Sequence, residues 1–97
     1  MRELWNEVWE ALKELGRCRM EQGRHADATT QLEKAASLAT NPTDALLLLA
    51  ENHMRNRDHG LAHKALSRVP AQGRDGAAAA TALAEVFEDV ADEERAR

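Results

Sequence analysis

Tyrosine and isoleucine are absent, and Trp5, Trp9 and Phe87 are the whole aromatic complement. Strands draw on β-branched and aromatic side chains, and with valine also scarce no segment reads as sheet. A single cysteine, Cys18, excludes an internal disulfide and favours a reducing compartment. Long apolar runs are missing too. A membrane-spanning helix needs about 20 mostly apolar residues, whereas the leucine run "ALLLLA" is six residues long, bracketed by Asp44 and Glu51. The first ten residues carry Glu3, Glu7 and Glu10 and do not read as a signal peptide. These absences predict a cytoplasmic chain without membrane insertion. Positive charge is not in excess either. The formal net charge of -4 argues against nucleic acid as a partner, and the surplus acid lies in residues 77–97, with two basic and six acidic side chains.

Alanine and leucine supply most of the apolar content, which points to helix. Ninety-seven residues suit a single domain, 1–97. Within it, four consecutive leucines, Leu46 to Leu49, project around a whole helical barrel at about 100° per residue. A surface helix needs only one apolar stripe, so this segment is expected to have neighbours on more than one side.

A self-comparison at a shift of 34 residues explains the run. Leu12, Leu15 and Gly16 fall on Leu46, Leu49 and Ala50, and then on Ala80, Leu83 and Ala84. The same shift carries Met20 to Met54, His25 to His59, Ala28 to Ala62, Leu32 to Leu66 and Ala35 to Val69. The shared pattern is Leu-x-x-Leu-Gly/Ala, then Ala-x-x-x-Leu, with turns near Gly23 and near Arg57-Asp58. Small residues at 16, 50 and 84 let neighbouring helices approach where they cross, and Ala28 and Ala62 do so on the following helix. Asn41-Pro42-Thr43-Asp44 is a stop followed by an N-cap at Thr43 or Asn41. "PAQGRDG", residues 70–76, reads as a loop with Asp75 poised to cap the last helix.

The pattern resembles the tetratricopeptide repeat, a helix–turn–helix unit of 34 residues. The resemblance implies an all-α fold, an α-solenoid of antiparallel helix pairs with about five helices. Its first repeat covers about 9–42, its second about 43–76 and a closing helix about 76–94. The expected helices run from about 2–22, 25–39, 43–56 and 59–69, followed by the closing helix. One slot that often holds an aromatic is Arg19, then His53, and only in the closing helix Phe87. The proline common at each repeat's end is replaced by Thr40 and Arg74, with Pro42 displaced by two.

Chemistry-bearing motifs are wanting. "GRDG" lacks the spacing and the Lys-Ser/Thr of a phosphate loop. Cys18, flanked by Arg17 and Arg19, reads as a semi-buried or surface thiol. His59 and His63 are four apart and could share a metal, but the repeat accounts for His59 and the aromatic slot for His53. The acids Glu85, Glu88, Asp89, Asp92, Glu93 and Glu94 read as a solvated face. No enzyme activity, metal site or cofactor is expected.

The resemblance also implies a concave groove lined by the first helix of each pair. The aligned residues are Glu10, Lys13, Arg17, Met20 and Glu21, then Asp44, Leu47, Leu48, Glu51, Met54 and Arg55. The closing helix adds Ala78, Thr81, Glu85, Glu88 and Asp89. Family members that clamp a chaperone's C-terminal carboxylate use positions aligned with Lys13, Arg17, Leu48, Ala78 and Ala82, of which only Lys13 fits that role. A carboxylate clamp is therefore not expected. A second surface is the stripe Leu4, Trp5, Val8, Leu12 and Leu15, with Trp9 at its edge. It either folds over the open end of the repeats or meets another copy. The expected function is a non-enzymatic protein–protein interaction module, an adaptor or chaperone-like scaffold holding a peptide or helix. The alternative is a structural module that forms homo-oligomers, such as a homodimer, through the repeat ends or the Trp5/Trp9 edge.

Overall fold

Helical propensity and the 34-residue register resolve into five helices in the computed structural model, which describes residues 2–70 and 73–96 and the side chains of 4–70 and 73–96. They are α1 (Arg2–Glu21), α2 (His25–Leu38), α3 (Thr43–Arg55), α4 (His59–Ser67) and α5 (Gly73–Ala96). No strand occurs among the described residues. Each helix packs on the next in chain order, and α3 also meets α1 and α5. The result is a slab of 52 × 32 × 15 Å with a radius of gyration of 13.8 Å, above the roughly 12.5 Å of a compact domain of this length.

The two turns inside the helix pairs are built alike. Gly23 and Arg57, 34 apart, both take positive φ, at 79° and 60°. At the first turn Gly23 N donates to Met20 O and Arg24 N to Arg19 O; at the second Arg57 N donates to Met54 O and Asp58 N to His53 O. This is the Schellman pattern, which satisfies carbonyls left over at a helix end. Glycine adopts that conformation freely, while a residue with a Cβ loses about 1 kcal/mol or more. Arg57 holds it with its guanidinium on Glu93, at 2.9 Å. Asp58 then caps α4 by accepting from Leu61 N.

Small residues set the spacing within a pair. A Cβ on Gly16 would lie 2.6 Å from Leu32 Cγ, so α1 and α2 meet at a distance only glycine permits. Ala50 is buried in the same register. Ala84, expected to play this part a third time, is exposed, as is Ala80, because among the described residues no sixth helix lies against α5. The flanks obey the same rule. Leu49 is 2 % exposed on the central α3, whereas the equivalent Leu15 on the outermost α1 is 37 % exposed.

Between the pairs sits a polar lock that the sequence pattern did not single out. Asn52 is 0 % exposed and donates to His25 O at 3.1 Å and Thr29 Oγ1 at 2.9 Å. Its carbonyl oxygen lies 2.8 Å from His25 Nδ1, so this pairing assigns the ring proton to Nδ1. Thr29 in turn donates to His25 O.

α5 begins earlier than expected. Residues 73–76 are already helical, and α5 runs on to Ala96. Asp75 therefore does not stand before the helix as its cap. Its carboxylate accepts from Asn41 Nδ2 at 2.9 Å and Thr43 Oγ1 at 3.0 Å, and those bonds hold its pKa below the usual carboxylate value. Asn41 Oδ1 also accepts from Thr43 N and shares the single Thr43 hydroxyl proton with Asp75, as an Asx-type start to α3.

Two outcomes follow from this packing. Gly16→Ala gains about 1 kcal/mol of helix propensity but drives a Cβ into the stem of Leu32, which costs about 1–3 kcal/mol. Urea unfolding is expected to show net destabilisation of about 1 kcal/mol, and a stabilised variant would mean that Leu32 yields. The second outcome concerns His53. Burial pushes the imidazole below its usual pKa, with His25 acting in the same direction and Asp58 and Glu33 opposing it; Lys64 and Arg68 border the same cleft. The unfolded chain then binds the proton more readily, so stability is full above about pH 6.5 and falls as pH drops below it. Unfolding free energies at pH 7.5 and 5.5 should differ in that sense, and His53→Gln should reduce the difference.

Candidate functional site

The broad face formed by α1, α3 and α5 carries two neighbouring clefts. The first, of about 300 Å³, is lined by Lys13, Glu14 and Arg17 from α1 and by Asp44, Leu47, Leu48 and Glu51 from α3. The second, of about 230 Å³, is lined by Leu47, Ala50, Glu51 and Met54 from α3, Leu66 from α4, and Ala82, Glu85 and Val86 from α5. Leu47 and Glu51 line both. Helical spacing explains why. Residues 44, 47, 48 and 51 lie on one face of α3, opposite the face that buries Leu46, Leu49 and Ala50.

Of the residues expected in the groove, Lys13, Arg17, Leu47, Leu48, Glu51, Met54 and Glu85 line these clefts. Met20 does not. It is 2 % exposed and belongs to the hydrophobic core, because it lies near the end of α1 where that helix turns back on α2. Its counterpart Met54 stays partly open. Arg55 is exposed and lines neither cleft; its guanidinium reaches Glu51 Oε1 at 3.3 Å. Glu14, which the alignment passed over, enters the first cleft through its ion pair with Arg17.

Charges order the site from end to end. Lys13 Nζ sits 5.1 Å from the centroid of the Trp9 ring, a cation–π distance. Trp9 also borders a third cleft with Glu10, Thr40, Asn41, Thr43, Asp44 and Asp75. Lys13 and Arg17 stand at the α1 end, Arg17 paired with Glu14 and Asp44 nearby, while Glu51 and Glu85 stand towards α5. The apolar centre is Leu47, Leu48 and Met54, partly buried against the core.

The edge residues divide. Trp9 and Val8 are partly buried, whereas Leu4 is 59 % exposed and Trp5 53 %. Trp5 therefore does not fold over the open end as a cap. The side chains that raised other chemistry have the following surroundings. His63 packs edge-on to Phe87 at 6.1 Å between ring centroids. His59 Nδ1 lies 3.7 Å from Glu93 Oε2. Cys18 is exposed, while Arg17 and Arg19 turn to Glu14 and Gln22. No helix is long and apolar enough to cross a membrane among the described residues.

A family model described as tetratricopeptide repeat matches residues 19–86. No curated protein and no solved structure matches the chain.

Met20 and Arg55 give opposite tests of this placement. Met20→Ala should lower the unfolding free energy by about 2–5 kcal/mol, as core truncations do. Arg55→Ala should stay within about 0.5 kcal/mol, the range of exposed substitutions. Denaturant titration measures both.

Proposed function

Because the chain belongs to the tetratricopeptide repeat family, we propose that it holds a peptide or helix of a partner protein in the trough along α1, α3 and α5. Repeats of this family generally mediate protein–protein interaction and are non-catalytic. The role is that of an adaptor or chaperone-like scaffold, and an exposed, unpaired Cys18 suits a cytoplasmic setting.

The observation that carries the reading is the pair of clefts sharing Leu47 and Glu51. An apolar centre rimmed by charge is the usual anatomy of an interface. Lys13 at one end favours an acidic side chain of the partner, Arg17 being paired with Glu14, and Glu85 at the other favours a basic one. Leu48, Ala78 and Ala82 cannot supply the polar and basic groups of a carboxylate clamp, so the partner is not a chaperone's terminal carboxylate.

A second reading has its own support. Leu4 and Trp5 leave an apolar patch on the N-terminal part of α1, and such patches mark association surfaces. In that reading the patch joins copies into a homodimer, and Trp5→Ala would convert a dimer to a monomer in light scattering.

The groove is tested by reversing its charges. Lys13→Glu combined with Glu85→Lys changes two side chains at the surface of the site and should keep the circular dichroism and melting temperature. Partners captured from native lysate by the unaltered protein should be lost or weakened at least tenfold with the variant. Capture of the same proteins at the same level by both would end the groove reading.

A further inference from the structure

The opposite face carries a cleft that the family pattern does not call for. It measures about 390 Å³ and is walled by α2 and α4 with α3 as its floor. That volume lies within the roughly 300–1,000 Å³ typical of small-molecule sites. Leu49, Leu61 and Ala65 give it an apolar lining, and Leu61 is half exposed over it. Glu33 and Arg68 line it too and bind each other at 2.7 Å, tying α2 to α4.

Two polar side chains there form no hydrogen bond or ion pair among the described residues. His53 is 8 % exposed, yet its ring makes no hydrogen bond with the described residues. Neither ring nitrogen is sealed in the interior, so both reach the surface from a side chain that lines the cleft. Both nitrogens are therefore open to a hydrogen-bonding group at the surface. Lys64 is the other. Its ammonium forms no ion pair among the described residues, whereas the neighbouring Arg68 is neutralised by Glu33. An apolar lining, a cation with no ion pair among the described residues and an imidazole with accessible nitrogens together describe the complement of an apolar acid.

We propose that this cleft binds a small apolar carboxylic acid, its chain against Leu49, Leu61 and Ala65 and its carboxylate meeting Lys64 and His53. The ammonium supplies a charge-assisted hydrogen bond, stronger than a neutral one. The imidazole, kept neutral by burial, offers a single N–H to the second carboxylate oxygen. The site stands apart from the α1–α3–α5 trough and does not depend on any partner bound there.

Octanoate is a suitable probe, with 1-octanol as the uncharged control, followed by NMR on the full chain with the His53 ring and leucine methyl signals assigned. Octanoate should give saturable shifts at His53 and Leu61. Lys64→Gln alters an exposed side chain and should weaken octanoate about tenfold while leaving octanol binding unchanged. Leu61→Gln, also at an exposed position, should weaken both. The proposal is overturned if the shifts do not saturate or map instead to Lys13 and Leu47. It is equally overturned if Lys64→Gln binds octanoate as the unaltered protein does.

Discussion

The fold depends on how closely α1 can approach α2. With no room for even a Cβ between Gly16 and Leu32, the helices of the first pair meet backbone to side chain. Leu32 is then fully buried, one of the largest such side chains in the protein. The second pair repeats the arrangement one methyl group larger, with Ala50 and Leu66 buried in the same register. The close approach is what lets a chain poor in large aromatics bury a core at all. Alanine, which makes up much of the buried set, fills little volume, so the helices must come together instead. The interaction also fixes the direction of everything after it. Two helices in close contact along one face leave their other faces free, and the next pair can pack there.

Relative placement of the pairs is governed by a polar device rather than an apolar one. Asn52 uses both amide hydrogens and its carbonyl on His25 and Thr29 at the start of α2. A fully satisfied buried amide adds little net stability, but an unsatisfied one costs about 1–3 kcal/mol. Any sliding of α3 along α2 would break all three bonds at once, so the network selects one register. Asp75 acts similarly at the other end, gripping Asn41 and Thr43 across the start of α3. The central α3 is thereby pinned near both of its termini, and its Leu47–Glu51 face is presented in a fixed orientation to the trough.

These facts explain what was legible in the sequence. The helices and their order followed from composition and from the 34-residue shift, and helix ends inside the repeats were placed within one or two residues because Gly23 and Asp58 are strong local signals. The start of α5 was misplaced because Gly73 and Gly76 read as loop residues, whereas the contact of Asp75 with the α2–α3 corner holds the first turn helical. Asn52 was missed because a repeat search rewards identity, and the residue 34 positions later is Val86. Met20 was misplaced for the converse reason. Its alignment with Met54 is correct, but α1 and α3 have different neighbours, and burial belongs to the neighbourhood rather than to the register.

The slot formed by Arg19, His53 and Phe87 shows where function has room to enter. The three residues are one position read three times. Arg19 sits at the end of the outermost helix and bonds Gln22. Phe87 on α5 is exposed and leans on His63. Only at His53 do helices close around the slot from three sides, α2, α4 and its own α3. A large aromatic there would occupy the space; an imidazole leaves an open volume and adds a polar group with no hydrogen-bond partner among the described residues. The trough follows the same logic from the other side of the slab. Leu47 and Leu48 stand where the first repeat has Lys13 and Glu14, and that mismatch creates an apolar centre beside a charged rim. In both clefts the repeat supplies the walls, while the chemistry comes from residues that break it.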